Sequence, residues 1–308
     1  MSGGEASRTR SGALGPGGGP LVLTTGAAIQ AWVRERRSAG LKVGLVPTMG
    51  ALHEGHLSLV RAARRDCDCV VTTIFVNPTQ FGPNEDFQKY PRTFEADLAL
   101  LRGEGVEAVF APDRAELYPE GFSTYVDPPN VAEPLEGRCR PGHFRGVATV
   151  VLKLFLLIPA DVAFFGRKDF QQASVIRRMT ADLNVPMRIV VCPTVREADG
   201  LAMSSRNRYL SVEERERALA LSRGLKRAAA AFASGERGQE RLSGEMLDEL
   251  RAVGISQIEY AVVADPDTLE SAARVGERAV ALIAARVGTT RLIDNCELPA
   301  PSDEWATR

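Results

Sequence analysis

KVGLVPTMGALHEGHLSLVRAARR, running from Lys42 to Arg65, is the stretch whose reading decides the fold. Val43, Gly44, Leu45 and Val46 form an apolar segment stopped by Pro47, the pattern of a buried parallel strand that ends in a turn. Leu57, Leu59, Val60 and Ala63, set among Ser58, Arg61 and Arg64, give a helix with one core-facing side. The link between them holds Gly50, Gly55 and two of the chain's three histidines, His53 and His56. A strand, a glycine-containing turn and a helix N-terminus make an anion site. The first helical N–H groups lack partners, and the dipole favours an exposed negative charge there by about 0.3–1 kcal/mol.

Known phosphate and metal signatures do not fit this link. No G-x-G-x-x-G follows the strand, and His56-Leu57 stands where a P-loop needs Lys-Ser or Lys-Thr. H-E-G-H spaces its imidazoles by three, where a zincin spaces them by four. Two readings stay open: histidines that merely cap a helix, or imidazoles that donate hydrogen bonds to an α-phosphate, where placed donors are worth about 10²–10³ in rate.

Further out, 308 residues are enough for two domains, and 44% apolar with 25% charged residues is ordinary globular composition. A net charge of −1 gives no electrostatic reason to expect nucleic acid or a membrane surface as partner. The most apolar stretch, Val147 to Phe165, is broken by Lys153, Pro159 and Asp161. Cys67, Cys69, Cys139, Cys192 and Cys296 are odd in number and scattered, which points to reduced thiols and a cytosolic protein. Residues 1–20 are Gly/Ser-rich without an apolar h-region and are expected to be a disordered tail.

In chain order, Ala27 to Arg37 reads as a helix, Val70 to Val76 as a second strand, and Asn77-Pro78-Thr79-Gln80 as a polar turn at that strand's C-terminal end. In open α/β sheets this is the edge where ligands sit, so Asn77 and Gln80 are candidates for a polar substrate. Thr93 is the expected N-cap of a helix through Leu101, and Ala108 to Phe110 a third strand. Glu133 to Ala148, with Arg138, Arg140, His143 and Arg145, reads as a charge-dense loop able to hold an anion, followed by a helix from Thr149 to Ile158. Asp161 to Phe165 is a strand, Gly166-Arg167-Lys168-Asp169 its turn, Phe170 to Leu183 a helix, and Arg188 to Val191 a strand. This alternation predicts a Rossmann-like, doubly wound parallel sheet over 21–195. Lys168 then supplies the phosphate-binding cation that the first loop lacks, and Ser204-Ser205-Arg206 a clamp suited to β- and γ-phosphates. From 196 to 308 the pattern changes to a smaller α+β unit. A capping box at Ser211–Glu214 opens a helix to about Ala233, Gln239 to Val253 is a second, and strands are expected at 258–264, 279–286 and 290–294.

PTMGALHEGH (47–56), FVNPTQFGPNEDFQKYPRT (75–93), FFGRKDFQQ (164–172) and READGLAMSSRN (196–207) together resemble the pantothenate synthetases, or pantoate–β-alanine ligases, in order from about Thr25 to Asn295. Kinship with class I aminoacyl-tRNA synthetases and nucleotidylyltransferases is implied, with their HIGH and KMSKS signatures at His53–His56 and Met203–Arg206; Arg206 stands where many relatives have lysine. The resemblance implies ATP-dependent condensation of pantoate with β-alanine through a pantoyl adenylate, releasing pyrophosphate and then AMP. It makes His56, His53 and Lys168 the catalytic residues. Met49, Gly50, Ala51, Leu52, His53, Glu54, Gly55 and His56 form the ATP loop, joined by Gly166, Arg167, Lys168 and Asp169, by Val195 at the adenine, and by Met203, Ser204, Ser205 and Arg206 over the triphosphate. Gln80 and Gln172 are implied for pantoate, Gln80 and Asn77 for β-alanine, and a homodimer for the assembly. Mg²⁺ is expected mainly on phosphate oxygens and water, with Asp97 as a carboxylate behind its water shell. A nucleotidylyltransferase that stops at nucleotide transfer and a non-catalytic ATP-sensing module are the competing readings.

Overall fold

The computed structural model describes residues 18–305 apart from Asn84. The tail expected at 1–20 therefore lies almost wholly outside the described residues, and Gly19 and Pro20 are already buried. Six parallel strands form the first sheet: β1 (Leu21–Leu23), β2 (Val43–Val46), β3 (Cys69–Thr73), β4 (Ala108–Phe110), β5 (Val162–Gly166) and β6 (Arg188–Cys192), in the order β1-β4-β3-β2-β5-β6. Helices α1 (Gly26–Ser38), α2 (Glu54–Asp66), α3 (Phe94–Gly103), the one-turn α4 (Arg114–Leu117) and α5 (Glu136–Cys139), α6 (His143–Leu157) and α7 (Phe170–Asp182) connect them. β2, β3 and β4 are buried along their whole length, as expected of strands covered on both faces.

Strand order places the site. From β2 the chain passes through α2 to β3 on one side, and from β5 it passes through α7 to β6 on the other. β2 and β5 are neighbours, with Gly44 opposite Val162 and Leu45 opposite Ala163. The strand order thus reverses between them, and the loops after both strands open on one crevice.

A second sheet pairs β7 (Ile258–Ala264), β8 (Ala279–Val287) and β9 (Thr290–Leu298) antiparallel, backed by α8 (Val212–Ala233) and α9 (Gln239–Ala252). β8 shows how the two parts join. Val280 and Leu282 pack into the core of the first sheet, while Ala281, Ile283 and Ala285 face the core under α8 and α9. The period-2 alternation of a strand so divides its side chains between two cores.

Several local expectations are corrected. Glu133–Ala148 is not a loop: Gly142, at φ 82°, sets up the turn from which α6 starts at His143, and α5 precedes it. A glycine takes this left-handed backbone without a Cβ penalty. Thr93 is the N-cap residue of α3, as expected, but its hydroxyl donates to Asp97 Oδ1 at 3.2 Å instead of accepting a capping bond. β9 runs on to Leu298, opposite Ala279, well past the expected end at 294.

Candidate active site

The loop after β2 is built to hold an unusual backbone. Gly50 and Ala51 both have positive φ, 78° and 51°. Asp97, from the first turn of α3, accepts the Ala51 N–H at Oδ2 (2.9 Å) and the Leu52 N–H at Oδ1 (2.8 Å), and it is 1% exposed. A Cβ on Gly50 would stand 3.0 Å from Asp97 Oδ2. Asp97 is therefore a clamp on this loop, each of its oxygens accepting one of the two N–H groups.

His53 is the N-cap of α2, its Nδ1 accepting the Gly55 N–H at 3.1 Å, and His56 Nδ1 accepts the His53 N–H at 3.3 Å. The two rings lie 4.1 Å apart, centroid to centroid. Capping and phosphate chemistry are thus not rival readings of this motif. With each Nδ1 accepting, each Nε2 carries the proton and is left as a neutral donor. Burial, then the charges of Lys168 and Arg208, hold His53 down to about 4. Burial, then His53 and Lys168, against an opposing pull from Asp169, hold His56 down to about 3. Lys168 acts on both imidazoles although it lies more than a hundred residues away in the chain, as the adjacency of β2 and β5 requires.

Lys168 and Asp169 occupy a short 3-10 turn, with Lys168 Nζ 3.5 Å from Asp169 Oδ1. Asn295 of β9 supports this turn by donating to the carbonyls of Arg167 (3.1 Å) and Lys168 (2.7 Å). The Arg167 side chain turns away, to Glu304 and Glu297 at 3.1 Å each. Beneath, the fully buried Arg196 pairs with Asp294 (2.8 Å) and Glu304 (3.0 Å), tying the C-terminal residues to β9.

The signature turn at 203–206 meets the histidine loop directly. Ser205 Oγ donates to the Ala51 carbonyl at 2.9 Å, and the Met203 N–H to the Val195 carbonyl at 2.9 Å. Ser204 Oγ accepts the Arg206 N–H. Arg206 itself makes a two-pronged pair with Asp86, 2.8 Å at each nitrogen. Glu54 is paired with Arg61 along α2, so its carboxylate serves the helix.

Asn77, 1% exposed, is spent internally. Its Nδ2 donates to Gln80 Oε1 (3.0 Å) and to the Gly146 carbonyl (3.2 Å), and its Oδ1 accepts from Thr79 Oγ1 (3.0 Å) and Tyr118 OH (2.8 Å). Gln80 Nε2 reaches Met49 Sδ at 3.3 Å. The pattern fixes the amide of Gln80, a residue that lines the cavity, with its oxygen on Asn77 and its N–H₂ beside Met49 Sδ, and it gives both polar atoms of the Asn77 side chain protein partners. Of the paired glutamines, Gln171 is buried and bonded to Glu136, Val131 and Pro134, whereas Gln172 lines a chamber of ≈ 40 Å³ with Lys168, Asp169 and His143. That chamber adjoins a cleft of ≈ 1270 Å³ bounded by Gln80, Lys168, Asp169, Ser204 and Arg206. Sequence reasoning missed Asp86, Asn295, Tyr118 and the bonds of Asp97 to the Ala51 and Leu52 N–H groups. Each acts through a contact made only by folding.

Comparison with known proteins gives one answer. The family described as Pantoate-beta-alanine ligase matches residues 21–297. Pantothenate synthetase of Rhodopirellula baltica is 57% identical over 280 residues, covering 90% of this chain and 98% of that protein. That of Roseiflexus sp. is 59% identical over 257 residues, covering 83% and 92%. The crystal structure of pantothenate synthetase from Thermus thermophilus superposes with a TM-score of 0.86 at 45% identity, over 91% of this chain and 100% of that one. Pantoate-beta-alanine ligase from Francisella tularensis, complexed with beta-gamma ATP and beta-alanine, superposes at 0.71 with 33% identity over 90% and 97%. On its sequence and its fold, the chain belongs to the pantoate–β-alanine ligase family, the pantothenate synthetases, which join pantoate to β-alanine at the expense of ATP.

Proposed function

We propose that the crevice between β2 and β5 runs this ligation in two steps on one face. A pantoate carboxylate oxygen attacks the α-phosphorus of ATP and the bond to pyrophosphate breaks, leaving a pantoyl adenylate. The β-alanine nitrogen then attacks the acyl carbon, the C–O bond breaks, and AMP leaves with its electron pair. A carboxylate is unreactive toward an amine until its oxygen is made a leaving group, and the mixed anhydride must be kept from water. Positioning supplies much of the rate, in favourable cases about 7–11 kcal/mol.

What supports this reading is that His53 and His56 stand together at the N-terminus of α2 while Lys168 follows the adjacent strand β5, near enough for its charge to act on both imidazoles. Neutral imidazoles donate from Nε2 to oxygens on the α-phosphate, and Lys168 balances charge as pyrophosphate departs. The N–H₂ of Gln80, with Gln172, holds pantoate; Asn77 aims Gln80 toward the place where β-alanine enters. Ser204 and the Val195 backbone line the nucleotide's path, and Arg206 moves from Asp86 onto the triphosphate. Mg²⁺ would arrive with ATP, held mainly by the triphosphate and water, and would supply neutralisation of phosphate charge.

Residues 196–308 act as a second domain with its own core under α8 and α9, delivering the 203–206 clamp. The enzyme works in the cytosol as a homodimer, for which the family resemblance is the support; sedimentation at micromolar concentration tests it. Incubation with ATP, Mg²⁺ and pantoate, with and without β-alanine, tests the chemistry by product mass. Steady AMP release is expected only with the amine present. His56→Ala and Lys168→Ala should each slow pyrophosphate release by about a hundredfold or more. Parent-like release in either variant removes that residue from the mechanism.

A further inference from the structure

The third histidine is absorbed by none of the chemistry above. His143 opens α6, is 8% exposed and borders both the cleft and the small chamber. Its Nδ1 lies 2.8 Å from the main-chain carbonyl of Gln80, and its Nε2 lies 3.0 Å from Arg140 Nη1. A guanidinium can only donate, so Nε2 must accept and Nδ1 must carry the proton. Arg140 is itself fixed by Glu85, at 2.7 and 2.6 Å, with Glu136 3.7 Å away on its other side. Both ring nitrogens are thus occupied, and His143 is not free to shuttle a proton. Burial and the neighbouring Arg140 hold it down to about 4, with the Gln80 carbonyl, Glu136 and Glu85 opposing, so it stays neutral near pH 7.

We propose that His143 is a positioning residue for this reaction: its Nδ1–H pins the Gln80 carbonyl and so sets the turn that presents the Gln80 carboxamide to pantoate. An ordinary satisfied core histidine would bond to any convenient carbonyl. This one bonds the residue whose side chain lines the cleft, within a turn already drawn onto the same helix end. Gly146 lies so close that a Cβ there would stand 2.3 Å from the Thr79 carbonyl oxygen and 2.7 Å from Gln80 Cα. Its own carbonyl accepts from Asn77, the residue that orients the Gln80 amide. The turn at 78–80 is therefore held at the main chain by His143 and at the side chain by Asn77. The Glu85–Arg140 pair fixes the imidazole from behind. The inference rests on Gln80 as a pantoate ligand.

Nitrogen-15 NMR of the histidine-labelled protein gives a signature that bulk packing does not. The chain has three histidines, and two tautomers are expected: Nε2–H for His53 and His56, Nδ1–H for His143. Kinetics supply the second readout. His143→Asn keeps an amide N–H near the Nδ1 position, whereas His143→Gln moves it toward Nε2. His143→Gln should lose about tenfold in kcat/KM for pantoate with KM for ATP within about twofold, and His143→Asn should stay within about threefold of the parent. An Nε2–H tautomer at His143, equal losses in the two variants, or a parallel rise in KM for ATP would overturn the assignment. Gln80→Ala separates the layers. An unchanged KM for pantoate there defeats the role of Gln80 and the inference with it. A raised KM there beside a parent-like His143→Gln defeats the pin alone.

Discussion

Removing the Asp97 carboxylate should do more damage than its distance from the phosphates suggests. In Asp97→Ala the buried N–H groups of Ala51 and Leu52 lose their acceptors, and the backbone of Ala51, at φ 51°, loses what holds it. Hydrogen bonds to a charged group contribute about 1.5–3 kcal/mol each, so the pair amounts to about 3–6 kcal/mol. Thermal unfolding should show a loss on the order of 10 °C. Asp97→Asn keeps one acceptor but turns an N–H₂ against the other amide, and should lose at least half as much. Ala51→Gly, which removes the cost of a positive φ, should recover about 1 kcal/mol of the Asp97→Ala loss. In pyrophosphate release, both Asp97 variants should fall steeply in kcat/KM for ATP while the midpoint of the Mg²⁺ titration stays put. A parent-like Tm and kcat/KM in Asp97→Ala would refute the clamp, and a shifted Mg²⁺ midpoint repaired by excess metal would restore a metal role.

Other consequences follow from the same geometry. All three histidines are held neutral, with folded values of about 4, 3 and 4 against about 6.5 unfolded. Between pH 6.5 and 4 the unfolded chain therefore binds more protons, so their contribution to stability is complete above pH 6.5 and declines as pH falls through that window. The Tm should drop over this range, and less so in His143→Asn; a flat profile would contradict the burial of neutral rings. Asp86→Asn removes the anion that competes for Arg206, so KM for ATP should fall by about threefold; a raised KM would mean that the pair holds the site together. Gly146→Ala must displace the 78–80 turn and should raise KM for pantoate by about tenfold with little effect on ATP.

Much of this site was legible before folding because it lies in contiguous turns. Val43–Val46, Gly50, Gly55 and the two histidines announce strand, turn and helix start through local periodicity alone. Lys168 could be placed beside them because alternation of strands and helices predicts parallel topology, and topology predicts a shared edge. What stayed hidden depends on pairing across the chain. Asp97 reads as one acid among several in a helical first turn, and only the fold shows it beneath Ala51. Asn77 and Gln80 look equivalent in sequence, yet Asn77 is buried with bonds to Gln80, Gly146, Thr79 and Tyr118, whereas the Gln80 N–H₂ meets only the weak acceptor Met49 Sδ. β1 escaped notice because Leu21–Leu23 is too short to show a period; it is a strand by virtue of its register with Ala108–Phe110. The charge density at 133–148 suggested a loop able to hold an anion, but Arg140 is paired with Glu85 and His143, and the charges flank a helix start.

The central claim is that the pantoate carboxylate itself attacks the α-phosphorus held between His53, His56 and Lys168. Turnover of pantoate labelled with oxygen-18 in both carboxylate oxygens, followed by mass spectrometry of the nucleotide product, tests it directly. One labelled oxygen in AMP, with one retained in the amide product, is the predicted outcome; label in inorganic phosphate with ADP as the nucleotide, or AMP carrying none, would contradict it.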